Sequence, residues 1–214
     1  MKEQTISVPE PSITTVKLML VGTNSIIQHK WSEKAKRQIL EKQQKKAEKK
    51  KEIRDPKAEF ESSLYIFEKG KFKYAEGGFP MEVKFTGKFG IPSVWIKKAI
   101  VDSCRNVNGL PMTIARGSVF VKSVKDDMIP VTYDRLVMRE DMVRIGLGSS
   151  DLRYRGELQG WSANVELVIN SDVLSVEQVL NLVKIAGFSC GLGEWRPQRS
   201  GDFGTFEVEP QKRK

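Results

Sequence analysis

The sequence predicts an α+β protein: an antiparallel sheet covered by two helices, with a basic helical insertion protruding from it. Three observations carry this. Apolar and β-branched runs recur at 13–21, 119–132, 142–169 and 205–209, two other segments space their apolar residues by three and four, and residues 30–54 hold eleven Lys and Arg against four Glu. With that stretch set aside, strands and helices follow the order β-α-β-β-α-β. The division expected is an N-terminal tail at 1–12, one domain over 13–209 with an insertion at 30–62, and a basic tail at 210–214.

Ile13 to Val21 reads as the first strand, ended by Gly22-Thr23-Asn24. In the insertion, Ser32 is a candidate N-cap and the residues after it are good helix formers, with Asp55-Pro56 as a stop. Ser63 to Phe67 resumes a short strand. Gly70 to Gly90 then mixes Phe72, Tyr74, Phe79, Phe85 and Phe89 with lysines, either to stack bases or as an irregular hairpin with its aromatics in the core. Pro92-Ser93 opens a helix whose face is Trp95, Ile96, Ala99, Ile100 and Val107, stopped by Asn108-Gly109. Val119 to Val124 and Ile129 to Thr132 read as strands, with Pro130 arguing for an edge. Met142 to Gly146, Leu152 to Leu158 and Ala163 to Ile169 continue the pattern. Ser175 to Ala186 is the clearest helix, with Ser175 and Gln178 fitting a capping box and Gly187 as its stop. Thr205 to Glu209 closes the sheet.

Of the formal net charge of +9, residues 30–54 hold +7 and the Lys212-Arg213-Lys214 tail +3, which leaves the rest of the chain at −1. The basicity is a local device. Few apolar residues follow Leu40 in the insertion, so a helix there has little to bury. It is either a solvated helix with Glu-Lys support or an arm whose cations, among them Lys34, Arg37, Lys45, Lys46, Lys49 and Lys50, neutralise phosphates.

Much enzyme chemistry lacks its residues. With His29 as the one histidine, a two-His metal site cannot form. A Cys-His pair is formally open through Cys104 or Cys190, but no spacing joins either thiol to His29. Both cysteines suit reduced thiols. Phosphate-loop and dinucleotide-binding glycine patterns are absent. Asp126-Asp127 and Glu140-Asp141 could hold Mg²⁺, though adjacent acids in turns are usually solvated, and His29 beside Trp31 suits packing better than catalysis. Neither a cofactor nor a resident metal is expected. No apolar run approaches the roughly 20 residues that cross a bilayer, and Met1 to Pro11 lacks a secretory signal. The expected location is the cytoplasm, with no membrane partner.

Between Gly187 and Gly204, the glycines Gly191, Gly193 and Gly201 alternate with Trp195, Arg196, Arg199 and Phe203. Glycines let backbone approach a ligand and expose amides to phosphate, while Arg and Trp offer charge and a stacking face. The same glycines also make ordinary connections.

Two segments add a resemblance. Gly90 to Ile100 (GIPSVWIKKAI) resembles the Pro-Ser-x-x-Lys-Gly-x-x-Arg helix start of the RAMP superfamily, the RNA-binding backbone subunits of CRISPR effector complexes, with Lys98 at the usual glycine. Gly191-Leu192-Gly193 followed by Gly201 to Val208 (GDFGTFEV) is similar to that superfamily's glycine-rich loop and closing strand, with Thr205 at the usual arginine. The resemblance implies a ferredoxin-like, RRM-like core of RAMP type that holds single-stranded nucleic acid by its backbone while protomers stack along the strand. It implies roles for Lys97 in the helix motif and for the loop residues Gly191, Gly193, Trp195, Arg196, Arg199 and Phe203. Arg139, Arg144, Arg153 and Arg155 would extend a phosphate track, or pair with Asp141, Asp151 and Glu157. The sequence is also similar to proteins of tailed phages and prophages that share a His-x-Trp-Ser-Glu-Lys-Ala segment, here His29 to Ala35, and a Gly-Glu-Trp-Arg-Pro segment, here Gly193 to Pro197. That implies a phage product in a bacterial cytoplasm.

The function expected is therefore non-catalytic binding of single-stranded RNA or DNA by a homo-oligomer or larger nucleoprotein complex. The rival is a phage assembly or host-defence-inhibiting protein whose basic helix docks an acidic protein groove. A metal-dependent nuclease using Asp126, Asp127 or Asp141 is a third reading.

Overall fold

The computed structural model describes residues 8–31, 36–37, 40–41, 43–44, 54–145 and 148–210. Ten residues form β1 (Ile13–Gly22), and after a three-residue corner the chain enters β2 (Ile26–Gln28) in a different sheet. The described residues at 36–37, 40–41 and 43 are helical, and the Gln44 amide donates to Leu40 O at 2.9 Å. Lys34, Lys45, Lys46, Lys49 and Lys50 lie outside the described residues.

Asp55-Pro56 opens a helix where the sequence reading had a stop. Asp55 is the N-cap of α1 (Pro56–Ser63), and its side chain accepts from the Lys57 and Ala58 amides while Pro56 fills the first turn. Proline suits that position because its missing N–H would be unpaired there anyway. Fully buried Phe60 lays α1 on the body, so the last part of the expected insertion does not protrude.

In the glycine-, Phe- and Lys-rich stretch the hairpin alternative holds. The stretch forms β4 (Phe72–Tyr74), β5 (Met81–Phe85) and β6 (Lys88–Pro92), preceded by β3 (Ile66–Glu68). Phe72, Phe85 and Phe89 stack inward, with the Phe72 and Phe85 rings 4.4 Å apart, Phe85 and Phe89 4.6 Å apart and Phe89 fully buried, while Phe79 stays exposed beside Tyr154.

Helix α2 (Ser93–Ser103) ends in a 3₁₀ turn at Cys104–Asn106, and a helix that the sequence reading missed follows as α3 (Met112–Ser118). Next come β7 (Val119–Lys122), β8 (Met128–Thr132), the paired strands β9 (Arg135–Ile145) and β10 (Ser149–Gln159), then β11 (Ser162–Asn170), α4 (Val176–Ile185) and β12 (Phe206–Pro210). The capping box at Ser175 and Gln178 is present.

Every named strand pair is antiparallel, in two sheets. The larger runs β12-β1-β11-β8-β6-β3, with β7 also on β11; the smaller runs β2-β10-β9-β5-β4. Pro130 is interior, because β8 pairs with both β6 and β11. Toward β6 it costs no ladder bond, because Gly90 opposite it turns its N–H to Tyr65 O at 2.8 Å and its carbonyl accepts from Gln28 Nε2 at 2.9 Å, and toward β11 the pairing begins only at Val131.

The core joins β1 (Leu18, Leu20) and β11 (Val165, Leu167, Ile169) to α2 and α4 (Ile96, Ile100, Val179, Val183). Trp161 is buried at the corner between the sheets, its indole donating to Asn24 O at 2.9 Å. A Cβ on Gly22 would strike that ring.

Candidate nucleic-acid interface

The long β9–β10 pair places charge by register. Arg155 lies opposite Arg139, Arg153 opposite Asp141 and Glu157 opposite Val137. Residues two apart share a face, so Arg139, Asp141, Arg153, Arg155 and Glu157 share one. Arg139 Nη1 donates to Glu157 Oε2 at 2.6 Å, and its Nε and Nη2 donate to Asp141 Oδ1 at 3.3 and 3.2 Å. Burial alone would raise the Glu157 carboxyl, but hydrogen bonds from Arg139, Gln159 and Ser25 hold it below its usual value.

Arg155 is more deeply enclosed, with 3% of its side chain exposed. Its Nε donates to His29 Nδ1 at 3.2 Å, and its Nη1 stands 3.6 Å from Asp141 Oδ2. Burial first, then the Arg155 charge, lowers the His29 imidazole below its ordinary value. The face is a network of charges that neutralise one another, not an open row of cations.

The glycine-rich loop closes over this face. A π-turn, Ala186–Cys190, follows α4, and the chain then takes positive φ at Gly191, Gly193, Trp195, Ser200 and Gly204. Two of these positions explain their glycines: a Cβ on Gly193 would meet the Ile27 carbonyl, and one on Gly204 the Leu192 carbonyl. The backbone is stitched to its surroundings by Leu192 N to Gly204 O (2.9 Å), Glu194 N to Ile27 O (2.9 Å), Phe203 N to Trp195 O (3.0 Å) and Gly204 N to Ser25 O (2.7 Å). Those amides already have acceptors, so they do not form the phosphate cradle that the glycines suggested.

The aromatic pair Trp195 and Phe203 instead covers the arginines. The Arg139 guanidinium carbon is 5.3 Å from the Trp195 ring centre and 5.0 Å from that of Phe203, and Arg155 is 5.4 Å from Trp195. Such stacking is favourable, by about 2 kcal/mol or more where the cation is desolvated.

The structure sorts the remaining candidates. Arg196 is half-buried and braces the loop, with Nη1 on Gly193 O at 2.8 Å. Arg199, Arg144 and Arg37 are exposed. Arg153 is partly exposed and makes a loose 3.6 Å pair with Asp151. Arg155 is too buried to belong to a phosphate track. Lys97 is likewise corrected: its ammonium donates to Arg116 O at 2.7 Å, Ala115 O at 3.3 Å and Val119 O, which closes the end of α3. All three ammonium donors are engaged, so none is left for a phosphate.

The sequence offers Glu157 only as an ion-pair partner of the arginines and gives no role to Phe188, which is 83% exposed and lines a groove of about 830 Å³ with Lys184, Pro197, Thr205 and Phe206. The i, i+2 charges on two neighbouring strand segments were the signal for the first. Nothing in the sequence separated Phe188 from a core residue.

Burial pushes the Cys190 thiol up to about 11 and raises Cys104 as well, so at neutral pH neither is a thiolate nucleophile. Asp126 and Asp127 occupy a positive-φ turn between β7 and β8, and Asp141 belongs to the arginine network. Among the described residues, no three His, Cys, Asp or Glu side chains converge as metal ligands, and no helix is long and apolar enough to cross a membrane. No family model matches this chain, and neither does any curated protein.

Proposed function

We propose that this protein binds single-stranded nucleic acid without catalytic chemistry of its own, and that copies associate along the strand. The observation that carries the reading is the glycine-rich loop: a backbone bent through five positive-φ positions holds Trp195 and Phe203 against a fixed arginine pair and presents Arg199 to solvent. An aromatic face beside exposed cations is what sequence-tolerant single-strand binding uses. Arg153 shares that face of β10, whereas Arg144, out of phase with Arg139 and Asp141 on β9, lies on the opposite face and is not part of this surface.

A ferredoxin-like, RRM-like core of RAMP type is the finer fold reading. What supports it is the strand order β12-β1-β11-β7, each pair antiparallel, with α2 in the connection from β1 to β7 and α4 in that from β11 to β12. Numbered within that unit, the order is 4-1-3-2. A phage origin and a bacterial cytoplasm belong to the same proposal and rest on the sequence resemblance.

The test is fluorescence anisotropy with labelled single-stranded DNA, single-stranded RNA and duplex at two salt concentrations, with sizing of the complexes. Single-strand binding that weakens steeply with salt is expected, with several protomers on a long strand. Arg196→Ala combined with Arg199→Ala should reduce affinity by at least tenfold. Wild-type affinity in that double variant would sink the reading.

A further inference from the structure

Arg139 joins the charged face to the loop above it. On one side two carboxylates fix its guanidinium, Glu157 at 2.6 Å and Asp141 at 3.2 Å. Glu157 is itself tethered by Gln159 Nε2 at 3.0 Å. On the other side lie both aromatic rings of the glycine-rich loop, within 5.3 Å of the guanidinium carbon. A rigid, flat cation with its orientation set from below is a platform, and the rings on it inherit that orientation.

We propose that Arg139 is a positioning residue for the nucleic-acid grip: it holds Trp195 and Phe203 in their binding arrangement through the Glu157 and Asp141 carboxylates. The inference rests on the single-strand-binding reading above. The groups that face Arg139 are Glu157 and Asp141 beneath, Arg155 across the strand pair, and the two rings above. Trp195 needs this support, because its own φ of +49° is one that side-chain-bearing residues rarely adopt.

The sign of a charge change separates positioning from direct attraction. Glu157→Gln removes a negative charge from beneath the site, so if the local field governed binding, affinity for a polyanion would rise. Positioning requires the opposite: the platform loosens and single-strand affinity falls about tenfold. Asp141→Asn should act in the same direction. Arg139→Lys keeps the charge and loses the plane, and it should lose affinity as Arg139→Met does.

A second measurement needs no nucleic acid. Amide hydrogen exchange across 191–204 should quicken in Glu157→Gln and in Arg139→Lys, while the amides of β1 keep their wild-type rates. Should Glu157→Gln fail to fold, Arg139→Lys decides. Equal or tighter binding by Glu157→Gln, full affinity in Arg139→Lys, or unchanged exchange at 191–204 would each overturn the proposal. A wild-type protein that binds no single strand would instead overturn the parent reading, with the exchange data still deciding whether Arg139 holds the loop.

Discussion

His29 shows how a residue's partner decides its chemistry. Its Nδ1 accepts from the Arg155 guanidinium, a role open only to the neutral ring, and burial also disfavours the imidazolium. The folded value lies below that of the unfolded chain, near 6.5. The unfolded state therefore binds the proton first as the solution is acidified, and the stability present above that value is lost as pH falls toward the folded one. Between about pH 7.5 and about pH 5.5, urea midpoints of the wild type should drop, and His29→Gln should flatten that slope. An equal slope in both proteins would remove His29 as the cause. Lys97 teaches the same lesson with a different outcome: its place in a sequence motif suggested a phosphate, and its ammonium lies among backbone carbonyls.

At the scale of elements, the glycine-rich loop depends on backbone that only glycine supplies cheaply. Gly193 has φ +78° and faces the Ile27 carbonyl, where a methyl group cannot fit without movement. Gly193→Ala should cost on the order of 1–3 kcal/mol in denaturant unfolding and should also weaken single-strand binding. Gly109 makes a natural control, since its φ of +79° matches that of Gly193 but nothing lies within 4 Å of its missing Cβ. If Gly193→Ala and Gly109→Ala proved equally mild, the close approach to β2 would carry no energetic weight. Helix α1 carries the matching lesson about starts and stops. Asp-Pro read in one direction ends a helix and read in the other caps one, and buried Phe60 chose the second by giving the new helix a face to bury.

For the whole molecule, the separation of charge matters more than its sum. Most of the net +9 resides at 30–54, whereas the described body pairs its charges, as at Arg139–Glu157 and Arg155–Asp141. Deleting 33–53 spares Arg54, which binds Glu59 and Asp151 at 2.7 Å each. That deletion should leave the fold intact and make the salt dependence of single-strand binding shallower, by roughly 0.7 in the log-log slope for each phosphate no longer neutralised. An unchanged slope would move the basic segment to a protein partner. The sequence by itself determined the α+β class, most of the strands, the capping box at Ser175 and Gln178, and the local nature of the basicity, because each is written in spacing or composition over short stretches. It did not determine that 72–92 would split into strands of two sheets, which of the two readings of the aromatics there would hold, or that Trp195 would lie on Arg139. Those outcomes depend on register between distant strands and on which face a neighbour covers, and only the tertiary structure brings such residues together.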